Sequence, residues 1–318
     1  MSDAGTAVER AGVRLTNLDE PLFDGADASK RDLVDYLDGM REMLLPVLRG
    51  RPLSVVRALR GQRPFMQKNL PKYTPDWVPR VSVWAESSQR DVSYPLCDDR
   101  RTLLWLANQR AVEYHPTLTL AEDLGRPTHL VLDIDPPGQQ DFSPAVRAAE
   151  LVRQALSDAG LRAAVKTSGA KGLHVFVPVE GVAADDAAAA TRALAARAAR
   201  LEPRIATTEF IREDRGGKVF LDSTRAGSAT VVAAYSPRLR PEVPVSFPLE
   251  WSDLDRVRPA DFTLRTVPSL IEGRDPWARA MPPPQRLPDE LVEEGHTIPV
   301  ARVRAMHEGK RRARARRG

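Results

Sequence analysis

The sequence predicts a mixed α+β fold on three observations. Short apolar runs bounded by turn residues, of which 129–135 is the clearest, are typical of buried strands. Longer stretches such as 30–49 repeat their apolar residues at helical spacing. The two patterns alternate along the chain without an internal repeat, which favours an α+β or mixed α/β arrangement over an all-helical or all-β one.

The amino-terminal part is predicted to hold two helices separated by a loop-rich segment. Ser29 and Asp32 have the spacing of a near capping box, which predicts a helix over 30–49. Residues 61–80 are rich in proline and basic side chains, so we expect loop with short strands there. A second helix is predicted over 99–113 from its apolar spacing.

The rest of the chain is predicted to alternate strands with helices. The buried strand 129–135 ends at a Pro-Pro-Gly turn, and Ser143 is expected to cap a helix that runs to Gly160. An alanine-rich helix is predicted over 185–201. The remaining strands are predicted over 161–167, 172–179, 218–222 and 229–235.

The composition argues against a membrane protein, a secreted protein and a disulfide-bonded protein. The 318 residues include no apolar run near the ~18 residues that a membrane helix needs, and the first residues lack the apolar block of a signal peptide. A single cysteine, Cys97, excludes an internal disulfide and a cysteine-cluster zinc site. We therefore expect a cytoplasmic location and no membrane partner.

The formal charge of +4 is unevenly distributed. Residues 301–318 hold eight basic side chains and one acidic one, so this tail carries a net +7 and residues 1–300 a net −3. A basic tail of this kind is typical of proteins that bind nucleic acid or another polyanion, although a solvated end without a partner has the same composition.

Three aspartates are candidates for a metal site. Asp133 and Asp135 are two apart at the end of a buried strand and therefore share a face, while Asp222 ends a second apolar strand. Carboxylate oxygens are ligands for divalent cations such as Mg²⁺. The pair alone also fits phosphatases of the haloacid type and sugar-nucleotide transferases, and Pro136 argues against the phosphatase motif. A solvent-exposed acidic loop that binds no ligand is the simplest alternative.

The turn between the strands predicted over 161–167 and 172–179 is a candidate phosphate site. Its glycines allow backbone N–H groups to approach a ligand, and Ser168, Lys171 and His174 add donors that suit a triphosphate. The spacing is not that of a Walker A loop. A plain hairpin turn remains the alternative. Arg238 could also reach a phosphate, whereas His115 on its own fits a structural role better.

Read together, these segments resemble the polymerase domain of bacterial ligase D, a member of the archaeo-eukaryotic primase superfamily. The resemblance runs in order from about Leu15 to Leu270 and is carried by residues 132–136, 167–174 and 219–222 with 235–238. It implies a primase-polymerase, RRM-like α+β fold: mixed sheets with flanking helices and catalytic carboxylates at strand ends in a central cleft.

The resemblance also implies a domain division. The expected catalytic domain covers 1–285, in which 1–125 wraps the core 126–285, followed by a proline-rich linker over 286–300 and the basic tail over 301–318. No ligase or nuclease domain accompanies it in this sequence, so we expect a stand-alone homologue.

The implied activity is template-dependent nucleotidyl transfer that extends primers or fills short gaps in DNA repair. Two Mn²⁺ or Mg²⁺ ions would be held by Asp133, Asp135 and Asp222, ribonucleotides would be used readily, and no organic cofactor is expected. The nucleotide-binding positions implied by the family are Ser168, Lys171, His174 and Arg238 for the triphosphate, His115 near the ribose and Phe65 against a base.

The implied partners are gapped or broken DNA with a primer-template end, rNTP and dNTP substrates, a Ku-like protein and an ATP-dependent DNA ligase, which would associate the protein with the nucleoid. The residues implied to contact DNA are Asn17, Lys30, Arg57 and Lys68, and the tail adds Arg312 and Arg314. De novo priming is not expected, because the zinc-binding cysteines of many primases are missing.

The sequence departs from the family pattern at three places, one of which is Val55-Val56, where basic residues are common. Glu20 stands where a lysine that grips a 5′-phosphate is common, and residues 223–226 replace an aromatic residue and an asparagine after Asp222. These departures motivate an alternative hypothesis, in which the protein is a catalytically weak module that binds DNA ends and recruits a separate ligase.

Overall fold

The computed structural model describes residues 8–85, 89–138, 141–225, 230–271 and 273–300. Within these ranges the chain forms an α+β fold, as the sequence predicts. The helices are α1 (Lys30–Gly39), α2 (Arg41–Leu48), α3 (Arg100–Asn108), α4 (Ser143–Asp158), α5 (Ala184–Leu201), α6 (Val267–Ile271), α7 (Pro276–Ala280) and α8 (Asp289–Thr297).

The strands form one large sheet and several small ones. They are β1 (Val8–Arg10), β2 (Val13–Leu15), β3 (Leu53–Arg57), β4 (Phe65–Gln67), β5 (Arg80–Ala85), β6 (Arg90–Pro95), β7 (Ala111–Pro116), β8 (Thr119–Leu120), β9 (Asp123–Pro127), β10 (His129–Asp135), β11 (Ala164–Thr167), β12 (Leu173–Pro178), β13 (Ala206–Thr207), β14 (Val219–Asp222) and β15 (Pro248–Leu249).

The central sheet has six strands in the order β13-β14-β10-β12-β11-β15. All neighbours are antiparallel except β13 and β14. Helices α4 and α5 pack against each other and against β10 and β14. The apolar residues of β10 and β12 are buried, as expected for strands at the middle of a covered sheet.

A second sheet, β4-β3-β7, is formed by the amino-terminal part of the chain. Every residue of β7 is buried, and β7 pairs antiparallel with β3. Helix α3 packs against β7 and α1, so the apolar faces of the two amino-terminal helices are covered together. This sheet forms the second wall of the cleft described below.

Two predicted amino-terminal helices differ from the structure. The capping box of Ser29 and Asp32 is present, but the predicted helix 30–49 divides into α1 and α2 at Met40, whose backbone leaves the helical region. The predicted helix 99–113 ends early because Arg110 adopts a φ of 60°, after which β7 begins. Period counting missed β7 because a fully buried strand has no alternation.

Two further expectations, a strand and a helix cap, are corrected by the structure. The predicted strand 229–235 does not form over its described residues, which make only isolated backbone hydrogen bonds to β7 before Tyr235 turns the chain. Ser143 is the first residue of α4 rather than its cap, and Asp141 accepts a hydrogen bond from its N–H.

The predicted linker over 286–300 contains a packed helix. Helix α8 lies against α5, where Glu294 accepts hydrogen bonds from Arg197 and Arg200 and Gly295 lies directly on the backbone of Ala189. The prolines of the predicted linker flank α8: Pro288 occupies its N-cap position and Pro299 follows its end. The basic tail, with Arg312 and Arg314, lies outside the described residues.

No helix within the described ranges has the length and hydropathy that crossing a membrane would require.

Candidate active site

Strand register brings the predicted catalytic residues together. Asp133 lies on β10 directly opposite Asp222 of β14 on one side and opposite His174 of β12 on the other. Asp135 follows two residues later, so its side chain is on the same face as that of Asp133. All four side chains line one cleft of about 450 Å³, which Ser168, Lys171, Arg238 and His115 also line.

The carboxylates in this cleft are paired with basic side chains. Arg225 Nε lies 3.5 Å from a carboxylate oxygen of Asp133 and 3.5 Å from one of Asp222. The two oxygens of Asp135 face Lys171 Nζ at 2.9 Å and Arg215 Nη1 at 3.3 Å. These contacts compensate the repulsion that neighbouring carboxylates would otherwise have.

Asp133 is held in its ionised form. Burial alone would raise the pKa of this carboxyl group, but the nearby His174, Arg225 and Lys166 outweigh burial and lower the pKa. On Asp222, one oxygen accepts hydrogen bonds from Thr224 N at 2.8 Å and Thr224 Oγ1 at 2.6 Å. The altered loop after Asp222 therefore contacts this carboxylate directly through Thr224 and Arg225.

The chemistry of these residues fits a divalent cation. Carboxylate oxygens are the donors that Mg²⁺ and Mn²⁺ prefer, and Asp133 and Asp222 are cross-strand neighbours. Over the ranges that the structure describes, however, no group of three or more acidic, histidine or cysteine side chains converges on one point. A cation bound by Asp133 and Asp222 would have to replace Arg225 between them.

The turn before β12 has the tight backbone that its glycines suggested. Ser168 Oγ accepts hydrogen bonds from the N–H groups of Ala170 and Gly172, each at 3.2 Å. A Cβ on Gly172 would lie 2.0 Å from the Ile134 carbonyl oxygen, so only glycine allows this turn to sit against β10. Lys171, which donates to the Pro136 carbonyl, is thereby held at the mouth of the cleft.

His174 is supported by a buried lysine that the sequence reasoning did not select as a site residue. Lys166 Nζ lies 2.9 Å from His174 Nδ1 and donates to Ser246 Oγ at 2.6 Å. Burial lowers the pKa of Lys166 well below its ordinary value, and burial together with Lys166 lowers the pKa of His174 to about 4. The rarity of lysine in this chain is the signal that could have found Lys166.

A buried glutamate, Glu113, was missed as well. Its carboxylate lies 2.8 Å from His115 Nε2 and 3.2 Å from Arg238 Nε. Arg238 also donates to the carbonyl of Ser168, so this arginine bridges the second wall and the turn. Glu113 was overlooked because its segment was predicted to be helical, where it would have had no relation to His115.

The backbone that leads to Arg238 turns at Tyr235, which has a φ of 67°. Its N–H donates to the Ser246 carbonyl at 2.7 Å, and three further hydrogen bonds hold this left-handed residue. Its carbonyl accepts from Tyr36 Oη at 2.8 Å, while its own hydroxyl donates to Asp275 at 2.5 Å and accepts from Trp277 N at 3.0 Å.

The residues predicted to contact a base or DNA lie away from the carboxylates. Phe65 on β4 is 38% exposed and does not line the cleft. Arg57 is buried beside it, donating to Gln109 and Gln67, with its guanidinium 6.0 Å from the Phe65 ring centroid. Lys68 is exposed.

The amino-terminal positions differ from the arrangement that the resemblance implies. Asn17 is exposed, but Lys30 is only 3% exposed and donates to the Thr16 carbonyl and Asn108 Oδ1, each at 2.7 Å. Burial and nearby Arg110 lower the pKa of Lys30 to about 8. Glu20 pairs with Arg110 at 2.5 Å. Lys30 therefore holds the fold together here rather than presenting a surface ammonium.

Comparison with known proteins places this architecture in a family. The family model for the LigD primase-polymerase domain matches residues 29–277. The chain belongs to the LigD primase-polymerase family. The resemblance stated from the sequence is thus confirmed, and the matched range contains Asp133, Asp135, Asp222 and both walls of the cleft.

Curated relatives in this family are much longer proteins. The chain is 34% identical over 267 residues to the bifunctional non-homologous end joining protein LigD of Bacillus subtilis, covering 82% of this chain and 42% of the relative. It is 34% identical over 263 residues to the multifunctional LigD of Mycobacterium tuberculosis H37Rv, covering 79% of this chain and 34% of the relative. It thus spans less than half of these relatives.

A solved structure confirms the fold. The polymerase domain from Mycobacterium tuberculosis ligase D in complex with DNA matches with a TM-score of 0.77 at 31% identity. The match covers 84% of this chain and 97% of that domain. The primase-polymerase fold expected from the resemblance is therefore the fold of this family member.

Proposed function

We propose that this protein is a nucleotidyltransferase that extends primer ends or fills short gaps during repair of broken DNA, with ready use of ribonucleotides. The observation that carries the proposal is the register of β14, β10 and β12, which aligns Asp222, Asp133 and His174 across one face. Membership of the LigD primase-polymerase family supports the same reaction class.

The triphosphate is proposed to bind where positive side chains line the cleft. Lys171 and Arg238 supply charge, and the turn that holds Ser168 supplies backbone N–H groups. Lys171 is paired with Asp135 at 2.9 Å and exchanges this partner for a phosphate oxygen when a nucleotide enters. His174 adds a donor at the same wall, and His115 faces the sugar.

Asp133, Asp135 and Asp222 are proposed to hold two Mn²⁺ or Mg²⁺ ions, with no organic cofactor. When bound, such ions activate a primer hydroxyl group and neutralise charge on the triphosphate. Supporting this assignment are the oxygen donors of the three side chains and the ionised state of Asp133. Arg225, which spans Asp133 and Asp222, moves aside in this scheme.

The proposed DNA substrate is a gap or break with a primer-template end. Exposed Lys68 and Phe65 and the basic tail are the contacts proposed for DNA. The match to a polymerase domain in complex with DNA supports DNA as the substrate. A Ku-like protein and an ATP-dependent ligase are the proposed partners, by analogy with the end-joining relatives, and the proposed location is the nucleoid.

The test is nucleotide incorporation on a gapped duplex with Mn²⁺ or Mg²⁺. Ribonucleotides and deoxyribonucleotides are compared on gaps with and without a 5′-phosphate. Asp133→Asn with Asp135→Asn is expected to abolish incorporation, because Asn keeps the shape and removes the charge. Asp123→Asn, on the exposed β9, is the matched control. Equal incorporation by the double variant and the wild type would refute the assignment.

A second candidate function is DNA-end binding without efficient catalysis, followed by recruitment of a separate ligase. The ion pairs that occupy Asp133, Asp135 and Asp222 favour it, since each must open before a metal ion binds. Tight binding of gapped DNA together with no metal-dependent incorporation by the wild type would select this function over the first.

A further inference from the structure

Glu113 connects two parts of the cleft that are far apart in the sequence. It lies on β7, with only 9% of its side chain exposed. One carboxylate oxygen is 2.8 Å from His115 Nε2. The other is 3.2 Å from Arg238 Nε and accepts a hydrogen bond from Leu239 N at 2.9 Å. His115 Nε2 and Leu239 N thus hydrogen-bond to this carboxylate, and the Arg238 guanidinium forms an ion pair with it.

The carboxylate of Glu113 is ionised at neutral pH. Burial alone would raise the pKa of Glu113, but the hydrogen bond with His115, the Arg238 guanidinium and Leu239 N–H lower it to about 2. An ionised carboxylate only accepts hydrogen bonds. The hydrogen in the contact with His115 must therefore be carried by His115 Nε2.

This assignment determines whether the other ring nitrogen of His115, Nδ1, carries a hydrogen. Burial lowers the pKa of His115, although Glu113 opposes the effect, so the ring is neutral near pH 7. A neutral imidazole with hydrogen on Nε2 has a lone pair on Nδ1. No protein hydrogen bond to Nδ1 is found within the described residues, and His115 lines the cleft.

We propose that Glu113 is a positioning residue that presents His115 to the cleft as a hydrogen-bond acceptor through Nδ1 and holds Arg238 in place for a phosphate. The cleft then accepts a ligand with a hydroxyl group as donor near His115 and an anionic group near Arg238. This proposal rests on the proposed function for the identity of that ligand, a nucleoside triphosphate, but the orientation of His115 does not depend on it.

The first experiment measures the tautomer of His115 in the full-length protein. Nitrogen-15 NMR distinguishes a ring nitrogen that carries hydrogen from one with a lone pair, and His115→Gln assigns the signals. At neutral pH the wild type is expected to carry hydrogen on Nε2. Glu113→Gln is expected to give a mixture of tautomers, because its amide both donates and accepts. Hydrogen on Nδ1 in the wild type would overturn the proposal.

The second experiment measures binding of ATP with Mg²⁺ by calorimetry and, if incorporation is detected, steady-state kinetics. Glu113→Gln is expected to weaken binding and lower kcat/KM by about tenfold or more, as displaced ligand-contacting groups commonly do. Glu113→Asp, which keeps the charge, is expected to recover part of the loss. Glu294→Gln, which loses a glutamate paired with two arginines away from the cleft, is the matched control.

The outcomes separate the two proposals. If the wild type shows the expected tautomer but does not bind ATP, the nucleotide assignment fails and the role of Glu113 stands. If ATP binds and Glu113→Gln changes neither the His115 signals nor the affinity by more than twofold, the role of Glu113 fails. Circular dichroism confirms the fold of each variant, and Glu113→Asp carries the test if Glu113→Gln unfolds.

Discussion

At the scale of single residues, charge compensation is the main property of the cleft. Asp133 and Asp222 lie opposite each other on paired strands, and Arg225 contacts both. Arg225 is 44% exposed, so its contacts are weak ones that a bound ion can replace. The arginine stabilises the two facing carboxylates and competes with any cation for the same oxygens.

Replacing Arg225 is expected to strengthen metal binding. In Arg225→Ala the carboxylates of Asp133 and Asp222 lose their competing cation, so Mn²⁺ should bind the nucleotide-free protein about two- to tenfold more tightly, which corresponds to ~0.4–1.4 kcal/mol. Calorimetric titration with Mn²⁺ measures this change. Arg126→Ala, which breaks an exposed ion pair on β9, is the control. Weaker Mn²⁺ binding by Arg225→Ala would contradict this competition.

The buried carboxylate of Glu113 makes a prediction about acid stability. Its pKa is about 2 in the folded protein and 4.5 ordinarily, so folding is favoured while the group is ionised. This contribution, on the order of 3 kcal/mol, is complete above pH 4.5 and is lost as the pH falls toward 2.

Urea unfolding at a series of pH values between about 6 and 2 tests this dependence. Glu113→Gln is expected to be less stable near neutral pH and to lose less stability on acidification than the wild type. Glu122→Gln, an exposed position, serves as the control and should follow the wild-type curve. Parallel curves for the wild type and Glu113→Gln would show that Glu113 does not have the depressed pKa.

At the scale of elements, the turn before β12 determines how closely two central strands approach. Gly172 lies on the Ile134 carbonyl, next to Asp133 and Asp135. Gly169 has a φ of 66°, and a Cβ there would lie 2.5 Å from Arg238 Cγ. This turn thus determines how closely it packs against two neighbours: β10, which carries Asp133 and Asp135, and the side chain of Arg238.

Gly172→Ala is therefore expected to damage both stability and binding. The added methyl group forces β10 and the turn apart, at a cost of about 1–3 kcal/mol of unfolding free energy and a loss of ATP affinity. Urea unfolding and ATP calorimetry measure the two effects. Gly138→Ala is the matched control, because a Cβ at Gly138 meets nothing within 4 Å. Unchanged ATP affinity in Gly172→Ala would separate this turn from nucleotide binding.

How far the sequence predicted these elements depended on what each pattern encodes. The strand ends at Asp133 and Asp222 were predicted because an apolar run that stops at a carboxylate marks a buried strand and its end. Strand β7 was missed because all its residues are buried, which removes the period of two. Glu113 is not selected because its segment is predicted to be helical, and neither its contact with Arg238 nor that of Lys166 with Ser246 leaves a pattern in the neighbouring sequence.

The departures at the amino terminus have a similar origin. Lys30 was predicted to contact DNA on the strength of the resemblance, and nothing in its neighbourhood along the chain indicates that Asn108, 78 residues away, accepts from its ammonium group. The sequence predicts a linker where α8 forms, because proline marks loops reliably but also precedes helices, as Pro288 does.

At the scale of the whole molecule, charge is divided between a body and a tail. Residues 1–300 carry a net −3, although the cleft contains several basic side chains, and residues 301–318 carry a net +7. Long-range attraction to a polyanion therefore comes mainly from the tail, whereas interactions near the cleft are local.

Removal of residues 301–318 is expected to weaken binding to gapped DNA and to flatten its dependence on salt. Each DNA phosphate that the shortened protein no longer neutralises reduces the slope of log K against log salt by about 0.9. Fluorescence anisotropy across a range of NaCl concentrations measures the slope for the full chain and for residues 1–300. Replacing the tail with a neutral sequence of equal length controls for its size. An unchanged slope would exclude the tail from DNA binding.

The hydrogen bonds of Tyr235 have a consequence for how the protein folds. They join this residue to Tyr36, 199 positions away, and to Asp275, 40 positions further along the chain. Contacts of such separation form late, because the intervening chain must first be ordered. During synthesis, the turn at Tyr235 that positions Arg238 therefore cannot be completed until Asp275 has left the ribosome. The strands that carry Asp133 and His174 are available to pair long before that point.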